Sequence, residues 1–166
     1  MTAVLYRVPG ATYPVAVRSE GMYIEDAAGR QYLDMSGGAA VSCIGHAHPR
    51  VLAAVQEQLS RLAFAHTSFF TNPPQEQLAE RLRQRFGDPA ARVYFTSGGS
   101  EANETALKLA WQYWAARGQP DRKVIISREH SYHGNTLGAL SVSGNAGRRK
   151  ASAAPLLDWP RIAPCY

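Results

Sequence analysis

Apolar and polar residues alternate over two short segments near the start of the chain. Met22–Ile24 and Gln31–Leu33 have the character of short strands, and the polar segment between them ends at Gly29. Two such segments joined by a polar turn that contains glycine are typical of a β-hairpin. The sequence therefore predicts a hairpin here, followed at Ser36–Ala40 by a stretch too rich in glycine for a stable helix or strand.

Two helices are predicted after this hairpin, because apolar residues recur there three or four positions apart. The first begins near Pro49, a residue that suits the first turn of a helix. The second begins after Asn72, a predicted N-cap, and ends at Gly87. The apolar faces consist of Val51, Leu52, Val55, Leu59 and Leu62 in the first helix and of Leu78, Leu82 and Phe86 in the second.

The second half of the chain follows the order strand, helix, strand. Val93–Phe95 is predicted as a short apolar strand, and a tight turn leads from it into a long helix over about Glu101–Arg117. Lys123–Ser127 is predicted as a second strand, apolar enough to be buried on both faces. We expect the two strands to lie parallel with a right-handed crossover, and Ala151–Tyr166 to form a loop. The predicted fold class is α/β.

Composition excludes several classes of protein. The 166 residues have the length of one domain, and 45% apolar with 19% charged residues exclude a disordered or collagen-like chain. A compact chain of this length buries roughly two thirds of its unfolded surface, so we expect a real core. The apolar stretches are far shorter than the roughly 20 residues of a membrane helix. Cys43 and Cys165 lie far apart and indicate neither a metal site nor a disulfide framework.

The net charge of +5 does not by itself indicate a nucleic-acid partner. Of the 18 basic residues 15 are arginine, and they are scattered along the chain. The densest groups, at residues 81–85 and 148–150, lack the interleaved aromatic residues of a single-strand binder, so we interpret them as solvated surface. Met1–Gly10 shows no basic segment followed by an apolar run, and the expected location is a reducing cytoplasm without a membrane partner.

The segment Ser97–Ala102 carries the clearest chemical pattern. Gly98 and Gly99 allow a ligand to approach the backbone, and the following helix presents unpaired N–H groups and the positive end of its dipole. Ser100 adds a hydroxyl donor, so the segment is suited to a phosphate monoester. It matches neither the P-loop nor the GxGxxG pattern. The alternative is a tight strand-to-helix turn with Ser100 as a simple N-cap.

Histidines occur in two further segments. Tyr132 and His133 follow the second predicted strand, where α/β sheets place their ligands, and each could stack on a flat ring. The alternative is a solvated loop with one aromatic side chain packed on the core. His46 and His48 precede a helix start without further ligands, so a local role in the turn is favoured over a metal site. A Ser–His–Asp hydrolase is not indicated, because no GxSxG segment occurs.

Taken in order, these segments resemble the class III aminotransferases. The resemblance begins near Gly21 and extends over nearly all of the chain that follows, and the order and spacing of the segments carry it. The matching segments are Gly21–Asp34, Ser36–Val41, Gly45–Pro49, Ser97–Glu104 and Ser131–Ser141.

The resemblance implies the fold-type I architecture of enzymes that use pyridoxal 5'-phosphate (PLP). It places residues 1–50 in a segment that contributes to the small domain and residues 51–166 in the first, incomplete part of the large PLP-binding domain. The implied cofactor-binding residues are Gly98, Gly99, Ser100, Tyr132 and His133, with Ala39, Ala40 and Val41 lining the substrate pocket. The implied partners are an amino donor, namely an amine or ω-amino acid, a 2-oxo acid acceptor and a second copy of the full-length chain.

No catalytic residue is assigned, because in this family the lysine that holds PLP comes after the segments matched here, in the later part of the full-length enzyme. Lys108, Lys123 and Lys150 are the three lysines present, and none matches that position. We therefore expect an N-terminal portion of the enzyme, inactive by itself. Two alternatives stay open: a stand-alone phosphate- or nucleotide-binding α/β module, and an aminomutase or decarboxylase on the same scaffold.

Overall fold

The computed structural model of the protein describes residues 2–165. Its internal contacts divide the chain into two units, the first ending at Glu76 and the second beginning at Gln77. The predicted division into residues 1–50 and 51–166 stays a prediction. None of the helices within the described range has the length and apolar character of a membrane span.

An antiparallel sheet of three strands opens the first unit. β1 (Ala16–Glu20), β2 (Tyr23–Asp26) and β3 (Gln31–Leu33) follow one another in chain order, so the predicted hairpin is confirmed and one strand precedes it. The buried Asp26 carboxylate holds the β2–β3 turn, because it accepts hydrogen bonds from the Ala28 and Arg30 amides at 2.9 Å and from the Tyr32 hydroxyl at 2.8 Å.

The glycine-rich stretch after β3 forms one left-handed helical turn. α1 (Gly37–Ala40) has positive φ at each of its four residues, including 60° at Ala39 and 69° at Ala40. The sequence excludes an ordinary helix here but does not predict the left-handed turn.

The two predicted helices of this region are confirmed. α2 (Pro49–Arg61) starts at a proline, and α3 (Pro73–Phe86) starts behind Asn72, whose side-chain oxygen accepts a hydrogen bond from the Gln75 amide at 3.0 Å. Gly87 ends α3 with a φ of 80°. The boundary between the two units falls inside α3.

The second unit combines three helices and a small parallel strand pair. Its helices are α4 (Gly99–Ala116), α5 (Leu137–Ser141) and α6 (Ala146–Lys150). β4 (Ser127–Arg128) pairs in parallel with β5 (Arg161–Ile162), which lies in the segment predicted as loop. The prediction that Ala151–Tyr166 contains no strand is therefore wrong within the described residues.

The prediction of two parallel strands at Val93–Phe95 and Lys123–Ser127 is also wrong. Within the described residues Val93–Phe95 belongs to no strand, and of the second segment only Ser127 does. Val124 and Ile126 are 61% and 65% exposed instead of buried on both faces. An apolar segment becomes a strand only where a neighbour accepts and donates its backbone hydrogen bonds, and β5 supplies such a neighbour to Ser127 and Arg128 alone.

Burial of apolar surface is far below that expected for a compact chain of this length. The apolar side chains buried in the described residues are Ala139, Leu140 and Val142, all in or next to α5. The accessible surface is 13631 Å², whereas a compact protein of 18.1 kDa exposes roughly 8,100 Å². The expected core is therefore not formed by these residues alone, and the apolar face of α2 is open to solvent.

Candidate functional site

The predicted anion-binding segment forms the N-terminus of α4. Gly98 is the N-cap, with extended backbone, and no side chain caps the helix there. The N–H groups of the first turn lack carbonyl partners within the helix, and they lie at the positive end of the helix dipole. A Cβ built on Gly99 would meet no atom within 4 Å, so the space beside this residue is open.

Ser100 lies inside the first turn of α4 and is held there by the loop that follows β4. Its hydroxyl oxygen accepts a hydrogen bond from the Asn135 amide at 2.9 Å. The hydroxyl proton is therefore left to be donated to an anion. The alternative in which Ser100 is the N-cap is wrong, because Gly98 occupies that position.

Gly134 allows this close contact between the loop and α4. A Cβ at this position would lie 2.5 Å from the Ser100 Oγ and 2.9 Å from the Ala139 Cβ, and the φ of Gly134 is 141°. A larger residue would have to push the loop away from α4. Gly134 is therefore a requirement of the site that the sequence pattern did not assign.

The loop that carries Tyr132 and His133 is fixed from two sides. The Asn103 side-chain amide donates to the His133 carbonyl at 2.7 Å, and the His133 amide donates to the Ser143 hydroxyl at 3.0 Å. The structure thus brings the loop of Tyr132 and His133 against the first turns of α4.

Tyr132 presents an accessible ring. The residue is 57% exposed, and the guanidinium carbon of Arg148 lies over the ring at 4.8 Å from its centroid. A cation over a tyrosine ring fixes its orientation by a cation–π interaction. Arg148 is exposed, in agreement with its interpretation as solvated surface, but the sequence does not reveal its contact with Tyr132.

Glu104 is the ionised group that ties α4 to α5. Its Oε1 accepts a hydrogen bond from the Thr136 hydroxyl and another from the Ala139 amide. These bonds, with the Thr136 hydroxyl foremost, hold the pKa of Glu104 below its ordinary value. Ser100, Asn103 and Glu104 are spaced at i, i+3 and i+4, which places them on one helix face, and this spacing could have revealed them.

The predicted pocket residues Ala39, Ala40 and Val41 belong to the first unit. Ala39 and Ala40 form the second half of α1, and Val41, which caps it, is 82% exposed. His46 contacts Asp34 in the same unit, which agrees with the local role favoured by the sequence. Within residues 2–165 no three His, Cys, Asp or Glu side chains converge in a way that would hold a metal ion.

Comparison with known proteins shows which family the chain resembles. The family model of class III aminotransferases matches residues 7–163. An uncharacterised aminotransferase of Schizosaccharomyces pombe is 42% identical over 162 residues, which are 97% of this chain and 35% of that protein. The chloroplastic gamma-aminobutyrate transaminase 3 of Solanum lycopersicum is 44% identical over 78% of this chain and 25% of its own length.

A solved structure extends the match to the fold. The crystal structure of an amine transaminase from an uncultivated Pseudomonas species, in its PLP-bound form, superposes with a TM-score of 0.86 at 36% identity and covers 98% of this chain and 38% of that one. The predicted fold class, the N-terminal part of a fold-type I transferase, is confirmed. The chain spans about a quarter to a third of the length of these curated relatives. With a family model that covers almost its whole length, the chain belongs to the class III aminotransferases.

Proposed function

We propose that this chain is the N-terminal part of a PLP-dependent aminotransferase, which moves an amino group from an amine or ω-amino acid to a 2-oxo acid. The observation that carries the proposal is the junction of α4 with the loop after β4, where the Asn135 amide holds the Ser100 hydroxyl beside the open N-terminus of the helix. The relatives named above are aminotransferases, which supports the same activity.

The residues of this junction fit the phosphate of PLP. The space beside Gly99 is open, the first-turn amides of α4 are available as donors, and the Ser100 proton is free to point at an anion.

Tyr132 and His133 are proposed to hold the cofactor ring. When bound, PLP acts as an electron sink that stabilises negative charge on the amino donor's α-carbon. The chain's own part is to bind and orient: Gly98, Gly99 and Ser100 hold the phosphate, Tyr132 offers its accessible ring face, and His133 lies beside it. Ala39, Ala40 and Val41 are proposed to line the substrate pocket.

Further properties of the full-length protein follow as proposals from the family. We propose a homodimer, in keeping with the extensive exposed apolar surface of this part of the chain. A reducing compartment such as the cytoplasm agrees with the two cysteines, Cys43 and Cys165, which are both free thiols.

The test is an amino-transfer assay on the full-length protein with added PLP. Amines and ω-amino acids are offered as donors with a 2-oxo acid acceptor, and both the new amino acid and the oxidised donor are quantified. Stoichiometric formation of the two products is the expected result. Release of carbon dioxide, or migration of the amino group within one molecule, would instead establish the decarboxylase or aminomutase alternative and overturn the proposal.

A further inference from the structure

The segment between Asp34 and His46 is a loop closed at its base. Asp34 follows β3, and its Oδ2 accepts hydrogen bonds from His46 Nε2 at 2.8 Å and from the Ser42 hydroxyl at 3.0 Å. These bonds, that of His46 foremost, hold the pKa of Asp34 below its ordinary value. Asp34 is therefore ionised at neutral pH and only accepts, so the proton of the shared bond lies on His46 Nε2.

A second contact at the same base joins the backbone of His46 to Gly21. The His46 amide donates to the Gly21 carbonyl at 2.7 Å, and the Gly21 amide donates to the His46 carbonyl at 3.1 Å. The side chains of Asp34 and His46 are 10% and 22% exposed, whereas Val41 is 82% exposed. The base of the loop, at Asp34 and His46, is therefore hydrogen-bonded and largely buried. Its tip, at Ala39, Ala40 and Val41, includes the strongly exposed Val41.

The tip of the loop is strained. Ala39 and Ala40 adopt the left-handed conformation, which is unfavourable for an L-residue with a Cβ. Residues other than glycine persist there only when surrounding bonds determine their conformation. In structures, such residues are concentrated at ligand-binding sites.

Asp34 bonds to residues at both ends of this turn. Its Oδ1 accepts from the Gly37 amide at 2.9 Å, which fixes the first residue of α1. The Gly37 carbonyl in turn accepts from the amides of Val41 and Ser42 at 2.7 Å and 2.9 Å. The Ser42 hydroxyl donates to the Asp34 Oδ2, so one carboxylate holds both ends of the left-handed turn.

We propose that Asp34 is a positioning residue for the substrate pocket, acting with His46 and Ser42 to hold Ala39, Ala40 and Val41 in the left-handed turn. The inference rests on the proposed function, because it requires that the tip of this loop line the pocket. On this proposal, the Asp34 carboxylate determines the shape of the pocket wall without contacting the substrate.

The first measurement is amide hydrogen exchange in the full-length protein without cofactor. Asp34→Ala should accelerate exchange of the Gly37 amide by about tenfold, the effect of losing a hydrogen bond to a charged group. Exchange of the Val41 and Ser42 amides, which donate to the Gly37 carbonyl, should also accelerate because the turn opens more often. His46→Phe should give a smaller acceleration at the same amides, and His46→Gln, whose amide can still donate to Asp34, should restore most of the protection. Unchanged exchange in Asp34→Ala, or equal effects of the two His46 substitutions, would overturn the proposal.

The control is Tyr32→Phe, which removes a hydroxyl bonded to the carboxylate of Asp26 in the same unit at the same distance of 2.8 Å. It should leave exchange at residues 37–42 unchanged, and a matching acceleration would show that the loop responds to any loosening of the unit.

The second measurement separates positioning from mere stability. In Ser42→Ala and His46→Phe the KM for the amino donor should rise several-fold, while the affinity for PLP and kcat stay near those of the parent. A fall in kcat alone, with KM unchanged, would contradict positioning of the pocket wall. The exchange experiment needs neither PLP nor turnover, so a failure of the proposed aminotransferase activity is distinguishable from a failure of this inference.

Discussion

The carboxylate of Glu104 and the hydroxyl of Thr136 lie 2.5 Å apart, although 32 residues separate them along the chain. Thr136 is the N-cap of α5, and the same carboxylate also accepts from the Ala139 amide in the first turn of that helix at 3.1 Å. Glu104 of α4 thus caps a helix other than its own. Because α5 follows directly on the loop of Tyr132 and His133, this contact holds both parts of the proposed cofactor site together.

Thr136→Val should destabilise the second unit, because it removes the hydroxyl and keeps the shape of the side chain. We expect a loss of about 1.5 kcal/mol in the free energy of unfolding of the full-length protein, the low end for a hydrogen bond to a charged group, since Glu104 is partly open to solvent. Urea denaturation measures it. Thr71→Val is the matched control, because Thr71 donates to Glu76 at the same distance but on an exposed surface, and it should cost less. Equal losses would contradict the assignment.

The same contact predicts a dependence of stability on acid. The pKa of Glu104 is lowered in the folded protein from an ordinary value of 4.5, mainly by the Thr136 hydroxyl. A group with a depressed folded pKa contributes stability that is present above its unfolded pKa and is lost as the pH falls through the folded one. The difference in urea midpoint between the parent and Glu104→Gln should therefore be largest near neutral pH and shrink below pH 4.5. A difference that is constant across this range would rule out the ionised carboxylate as its source.

Tyr132 is predicted to contribute its ring to cofactor binding. Tyr132→Ala should lower the affinity of the full-length protein for PLP by about tenfold, because an aromatic contact contributes about 0.5–1.5 kcal/mol beyond the buried area. Tyr132→Phe should preserve most of the affinity, since the ring and its cation–π contact with Arg148 remain. Spectroscopic titration with PLP distinguishes the two. If the Phe variant is as weak as the Ala variant, the hydroxyl carries the interaction and stacking is the wrong explanation.

The 166-residue chain by itself is predicted not to transaminate. A lysine must hold PLP and move the substrate's proton as a general base, and the three lysines present do not match the family's position for it. The exposed Val124 and Ile126, with the open face of α2, should also make the isolated chain associate. The experiment is to purify it, add PLP, reduce with borohydride and map any modified residue. Attachment at one specific lysine together with measurable amino transfer would contradict this prediction.

Local patterns explain why the hairpin and the long helices were predicted correctly. Asn72 caps α3 through an amide three residues away, and Asp26 closes its turn through residues within six positions. Such signals lie within one window of sequence. The strand pair β4–β5 joins Ser127 to Arg161, and no local pattern at either segment specifies the other.

The sequence suggests the chemistry of the candidate site but not the hydrogen bonds that connect its parts. Gly98, Gly99 and Ser100 were identified because an anion site at a helix start needs glycines and a hydroxyl in sequence. The residues that orient the site, Asn135 and Asn103, act across 30 or more positions. Their roles depend on which distant segments fold against each other, and no local pattern in the sequence specifies that.

The most direct test of the proposed phosphate site compares PLP with pyridoxal, which lacks the phosphate, in the full-length protein and its Ser100→Ala variant. Loss of a hydrogen bond to a charged group should weaken PLP binding by about 1.5–3 kcal/mol, which is roughly 10- to 150-fold. Pyridoxal affinity should stay unchanged, because Ser100 is proposed to contact only the phosphate. Equal weakening of both ligands, or no weakening of either, would contradict the assignment of the α4 N-terminus as the phosphate site.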